Sequence, residues 1–302
     1  MLTDLFQLEQ KPVTVFSSGD AGAPKLLKSS GSLKSLLEAC LVTGYGDKTA
    51  LGWEMVHESE DRNSASFLST DDTSSKCVLK IDGSTTTKAK ISAYESMSAL
   101  GEGVNPFGLN NLYSTYDSGW RLIGHSKAFI LLVDVEIYGS RTALPLIFGD
   151  IPTEKTRTKP VCIFWSAKEG SWGSGGVQST LFAYPNGNTG KAPEGVGSGD
   201  TYPMTTNNEG VAYNLTDSFC KFGYRSFSSA TALYEPILTT LGDSKWALIP
   251  MVQPMSTKIS EISNLAEVNA TAICARTGQY NQSSSSNDNN NDCAVPINWW
   301  YA

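Results

Sequence analysis

Residues 120–138, WRLIGHSKAFILLVDVEIY, contain two apolar segments rich in β-branched and aromatic side chains, with a short polar break between them. Residues 120–124 and 128–138 read as strands, and His125-Ser126-Lys127 reads as the turn that folds one strand back on the other. The central apolar run, 128–133, is far too short to cross a bilayer, so no membrane insertion is expected. An antiparallel hairpin in the middle of the chain makes β the working class.

Outward from that hairpin the same signal recurs. Segments 52–57, 65–68, 77–81, 88–94, 143–148 and 161–165 are short, β-branched or aromatic, and bounded by Gly, Ser, Asp or Pro. Further strands are expected at 219–227, 246–251 and 268–275, and a helical turn within 261–268. One helix stands apart, at 32–42. Leu33, Leu36, Leu37, Cys40 and Leu41 fall on one helical face, Ser32 is placed to cap it, and Gly44 and Gly46 stop it.

Composition agrees. The chain has 302 residues with 37 Ser and 26 Thr, and charged residues make up only 18%, which favours strands and turns over solvated helices. A coiled coil, a collagen-like rod and a fully disordered chain are ruled out. The formal charge is −7 and no basic block occurs, so general nucleic-acid binding is not expected. The N-terminus lacks a basic region followed by an apolar one, which points to synthesis and folding in a cytoplasm.

Three regions follow from the punctuation. Residues 1–50 form an extended N-terminal arm and the helix, since Pro12, Gly19, Gly22, Pro24 and Gly31 break any longer element in the arm. Residues 51–160 form a β domain, a sandwich or barrel-like core. Residues 161–302 form a loop-rich β region, continuous with the first or separated from it near 152–159. Long loops are expected at 170–176 and 185–203, and the Ser/Asn/Asp tract 281–292 reads as a mobile loop.

The chemical search returns little. The two histidines, His57 and His125, lack a second ligand at metal spacing and read as strand-end or turn residues. No nucleophile elbow, phosphate loop or zinc motif occurs, and Gly195, Gly197 and Gly199 sit in a Pro-flanked loop and do not open a helix. The acidic residues Glu58, Glu60, Asp61, Asp71 and Asp72 are candidates for a glycosidase pair by type, but they lie in polar turns and read as solvated. Trp172, Tyr184 and Tyr202 lie near the loops, where aromatic rings stack on sugars or anchor interfaces. No catalytic, cofactor or metal site is expected. The six cysteines are widely spaced and read as reduced and mostly buried, with Cys274 and Cys293 as a candidate disulfide if the flanks of the 281–292 tract pair as a hairpin.

The run LLEACLVTGYGDKTALGW at 36–53 carries a resemblance. With Lys80-Ile81-Asp82, Tyr94-Glu95-Ser96-Met97, Asn105-Pro106-Phe107, Trp120, Lys127-Ala128-Phe129 and Phe148-Gly149-Asp150-Ile151, it resembles a family of uncharacterised proteins encoded among the virion structural genes of tailed bacteriophages and prophages. The likeness covers about 10–165, by motif order. It implies a virion component of the neck or collar, tail or baseplate region, or a capsid accessory, made in a host bacterial cytoplasm. It implies assembly with copies of itself and other virion proteins, no catalysis and no cofactor. The competing expectation is a carbohydrate- or receptor-binding module that recognises a host-surface glycan through its loops. Val13, Val15 and Phe16 of the arm and the terminal Trp299, Trp300 and Tyr301 are the candidate assembly interface. For the terminal rings, packing on their own domain is the alternative.

Overall fold

The computed structural model describes Phe6 and residues 8–86, 88–114, 117–137, 140–156, 160–169, 177–184, 237–240, 246–251, 253–254, 266–268, 272–276 and 292–302. The chain is mainly β with antiparallel sheets and one short helix, as the sequence led us to expect. The expected strand at 219–227, the loops at 170–176 and 185–203, and the 281–291 tract lie outside the described residues.

Two sheets form the body. The first is a five-stranded meander of β3 (Trp53–Glu58), β4 (Ser64–Ser69), β5 (Val78–Asp82), β6 (Lys88–Ala99) and β7 (Glu102–Ser114), in chain order. The second has six strands in the order β12 (Val177–Tyr184), β11 (Val161–Glu169), β10 (Ser140–Ile151), β9 (Ala128–Ile137), β8 (Trp120–His125) and β2 (Thr14–Ser17). The opening hairpin of the sequence is its centre: His125 pairs with Ala128 across a two-residue turn, and the register runs to Trp120 against Val133. Since β10 pairs with β11 from Leu146↔Ser166 to Ile151↔Val161, this sheet runs straight through position 160.

The two sheets face one another across a shared core. Phe129, Leu131 and Val133 of β9 and Leu144, Leu146 and Phe148 of β10 meet Trp53, Phe67, Leu79, Ile81 and Ile91 of the meander. Edge-to-face contact of Trp53 on Phe129, at 5.5 Å, sits at its centre. The alternate residues Ala128, Ile130 and Leu132 point the other way, into a second cluster with Ile147, Ile163, Met251, Val295 and Trp300. The centre of the six-stranded sheet is therefore buried on both faces. That is why 128–133 shows no polar alternation: each side chain finds apolar cover whichever way it points.

The cover on the second face comes from both ends of the chain. β1 (Gln10–Pro12) pairs antiparallel with β19 (Trp299–Tyr301), with Lys11 opposite Trp300. Smaller sheets are β13 (Ile237–Thr240) with β14 (Trp246–Ile249), and β15 (Gln253–Pro254), β18 (Asp292–Pro296), β17 (Ala272–Arg276) and β16 (Ala266–Val268) in that order. Of the span 261–268, where a helical turn was expected, 266–268 is strand and the rest lies outside the described residues.

Helix α1 (Ser32–Glu38) continues as a π-helical turn, Ala39–Thr43, and buries Leu33, Leu36, Leu37, Cys40 and Leu41 as the periodicity required. Its cap differs from the expectation. Gly31 occupies the N-cap at φ 74 with no side-chain cap, while the Ser32 hydroxyl accepts the Leu27 N–H at 2.7 Å and so ties the arm to the helix. Gly44, at φ 76, ends the helix, and a Cβ there would press on the Lys48 carbonyl. Lys34, buried on the same helix, ion-pairs with Glu38 at 2.7 Å and with Glu58 of β3. Burial works against its charge, but the two carboxylates outweigh it and hold the ammonium above its ordinary value.

Candidate functional site

The N-terminal arm is built into this chain's own sheet. Strand β2 pairs with β8, from Thr14↔Gly124 to Ser17↔Arg121, and Phe16 is buried in the first core. The outer side of β2 is occupied by side chains: Lys48 Nζ donates to the Val15 carbonyl at 3.1 Å, and the Ser17 N–H donates to Asp20 at 2.8 Å. Tyr45 donates its hydroxyl to the same Asp20 carboxylate at 2.9 Å. These contacts occupy backbone groups at an edge that would otherwise be open to strand addition. Val13 and Val15 are half-buried against the second core.

The terminal aromatics divide by face. Trp300 is fully buried, its Nε1 donating to the Pro296 carbonyl at 2.9 Å and its ring standing edge-to-face on His125 at 5.5 Å. It is a core residue, as is Phe16, and neither is available as an interface in the folded monomer. Trp299 and Tyr301 point to the opposite face of β19, half-buried, and pack edge-to-face with ring centres 5.1 Å apart.

Beneath this ribbon lies a polar cluster that the sequence did not reveal. Asp71, from the loop after β4, forms an ion pair with Lys11 of β1 at 2.9 Å and accepts the Ser126 hydroxyl at 2.9 Å. The Thr73 N–H and hydroxyl also donate to it, at 3.0 and 2.7 Å. Burial alone would raise the Asp71 carboxyl, but these donors outweigh it and hold it well below the ordinary carboxylate range. His125 is buried, its Nδ1 accepting the Lys127 N–H at 3.1 Å, and its Nε2 has no hydrogen-bond partner among the described residues. Burial, with Lys11 and Lys127 nearby, pushes its pKa down to about 3, so the imidazole stays neutral. Asp150 of β10 accepts the Ser75 N–H and hydroxyl, and burial moves its carboxyl upward despite those bonds.

Ser126, His125 and Asp71 include the residue types of a hydrolase triad in the wrong arrangement. The serine hydroxyl donates to the carboxylate, not to the imidazole, which is not the relay of such a triad. The cluster joins the β8–β9 turn, the loop after β4 and the N-terminal strand. No sequence spacing hints at this meeting, because Lys11, Asp71, His125 and Asp150 come from distant segments.

The other sequence candidates do not converge. Glu58 is engaged with Lys34 and Arg62, and Asp61 with Ser59 and Asn63, at the far end of the β3–β4 hairpin from Asp71. His57 Nε2 lies 3.3 Å from the Met97 carbonyl. Tyr184 belongs to β12 and stacks on Phe107 at 5.5 Å, so one ring face is taken up inside the fold; Trp172 and Tyr202 lie outside the described residues. Cys274 and Cys293 fall on paired strands β17 and β18, one step out of register, with Cys274 opposite Ala294 and Cys293 opposite Ala275. Among the described residues no cluster of His, Cys, Asp or Glu is arranged to hold a metal ion, and no helix is long and apolar enough to cross a membrane.

Comparison with protein-family models, with curated proteins and with solved structures gave no match.

Proposed function

We propose that this chain is a structural component of a tailed-phage virion, from the neck or collar, tail, baseplate region or capsid accessory set. It works by multimeric assembly with copies of itself and other virion proteins, without catalysis. The motif order over about 10–165 supports the virion reading. The observation that carries assembly is the division of the terminal strand: Trp300 is bolted into the core, and this holds Trp299 and Tyr301 in a fixed, half-exposed pair on the outer face. Large rings held rigidly lose little side-chain entropy on contact, which is what an interface anchor requires.

Light scattering on the purified full-length chain tests this. Multimers that fall apart in Trp299→Ala/Tyr301→Ala, with thermal unfolding little changed, are the expected result. A monomer at every concentration that binds an immobilised glycan saturably would overturn it in favour of the carbohydrate- or receptor-binding alternative.

A further inference from the structure

Two thiols meet where the two sheets face each other. Cys162 lies on β11 directly opposite Asp150, and Asp150 accepts both donors of Ser75. The Cys77 N–H in turn donates to the Ser75 hydroxyl at 3.3 Å, at the entry to β5. This chain of contacts carries Cys77 from the five-stranded sheet to Cys162 on the six-stranded one. Both cysteines are free, belong to the same core cluster and are almost wholly buried, at 3% and 1% exposure.

We propose that Cys77 and Cys162 are a latent inter-sheet disulfide, closed by thiol–disulfide exchange with a low-molecular-weight disulfide such as oxidised glutathione. One thiol loses its proton and attacks the glutathione disulfide, giving a mixed disulfide and one glutathione thiolate. The second, deprotonated in turn, displaces the remaining glutathione and forms the Cys77–Cys162 bond. The two protons lost by the cysteines end on the two glutathione thiolates, so the two electrons leave on two molecules of reduced glutathione.

The side-chain contact between the thiols supports this, and burial raises the Cys162 thiol well above its ordinary value. In the closed core Cys162 therefore stays protonated and slow to react, so exchange proceeds during folding, before the sheets close. The bond would staple the two faces of the sandwich and close a long loop of the unfolded chain, which lifts thermal stability.

The test refolds the full chain from reduced, denatured protein in a mixed reduced and oxidised glutathione buffer, followed by non-reducing peptide mapping. A Cys77–Cys162 linked peptide should dominate, with the midpoint of thermal unfolding several degrees above that of the dithiothreitol-treated sample. Cys77→Ala and Cys162→Ala should each abolish the linked peptide and the rise. Mapping native protein held in the same buffer with enough denaturant to open the fold transiently covers the case in which refolding fails. Folded protein with both cysteines still free in both samples, or with either bridged elsewhere, overturns the proposal.

Discussion

Asp150 holds Ser75 by two hydrogen bonds, from its N–H at 2.6 Å and from its hydroxyl at 2.5 Å, although one residue sits in β10 and the other in the loop before β5. A carboxylate buried between sheets is tolerated only while its oxygens are satisfied. Ser75→Ala removes one of the two donors, and a hydrogen bond to a charged group is worth about 1.5–3 kcal/mol. Denaturant unfolding should show a loss of that size.

Asp71, partly exposed, and Asp150, buried, have opposite pH dependences. Asp71, whose folded value is depressed, contributes stability that is complete above the ordinary carboxylate pKa of 3.8 and is lost as pH falls through its folded value. Asp150, whose folded value is raised, costs stability once it ionises and is relieved as pH falls. Unfolding free energies between pH 7 and about pH 3 should therefore decline less steeply in Asp71→Asn than in the unaltered protein. In Asp150→Asn they should decline more steeply.

Gly149 in β10 has φ 132, and a Cβ there would run into the Lys127 carbonyl and Ala128. The backbone conformation alone costs a non-glycine residue roughly 1–3 kcal/mol, and the clash adds to it. Gly149→Ala should lower the melting temperature more than Gly101→Ala, where a Cβ meets nothing.

Trp300→Ala should cost about 3–5 kcal/mol, the usual range for emptying a buried aromatic site. Trp299→Ala, on the half-exposed face, should cost far less in the same calorimetric measurement. Similar losses would mean that both rings are core.

Cys40 lies on the apolar face of α1 with no exposure. A bulky maleimide should label it only at the rate of unfolding, in step with the loss of the tertiary signal. Rapid labelling of native protein would mean that the helix packs by another face.

Helix α1 and the β8–β9 hairpin were legible in the sequence because each is specified locally, by helical spacing and by a polar turn between apolar runs. β7 was not, since Gly103, Pro106 and Gly108 interrupt the β-branched and aromatic pattern that marks a strand. It is tolerated as an edge strand whose register with β6 shifts at several points, where a proline does not interrupt a regular ladder. How the arm docks was not legible, because the residues that hold its outer edge, Tyr45 and Lys48, lie beyond the helix. The polar cluster was hidden for the same reason: Lys11, Asp71 and His125 become neighbours only after both sheets have formed. Trp300 could be seen as a ring that needs cover, but not which face of β19 would supply it.

The pairing of β1 with β19 also fixes how the chain bears load. Residues 9 and 302 exchange hydrogen bonds at 3.4 and 2.9 Å, at the outermost rung of the ribbon. Tension applied through those two residues opens the rungs one after another, like a zipper, and never loads them all in parallel. Such a ribbon peels from Glu9 and Ala302 towards Val13 and Asn298, and the first rungs part before Trp300 is drawn from its core.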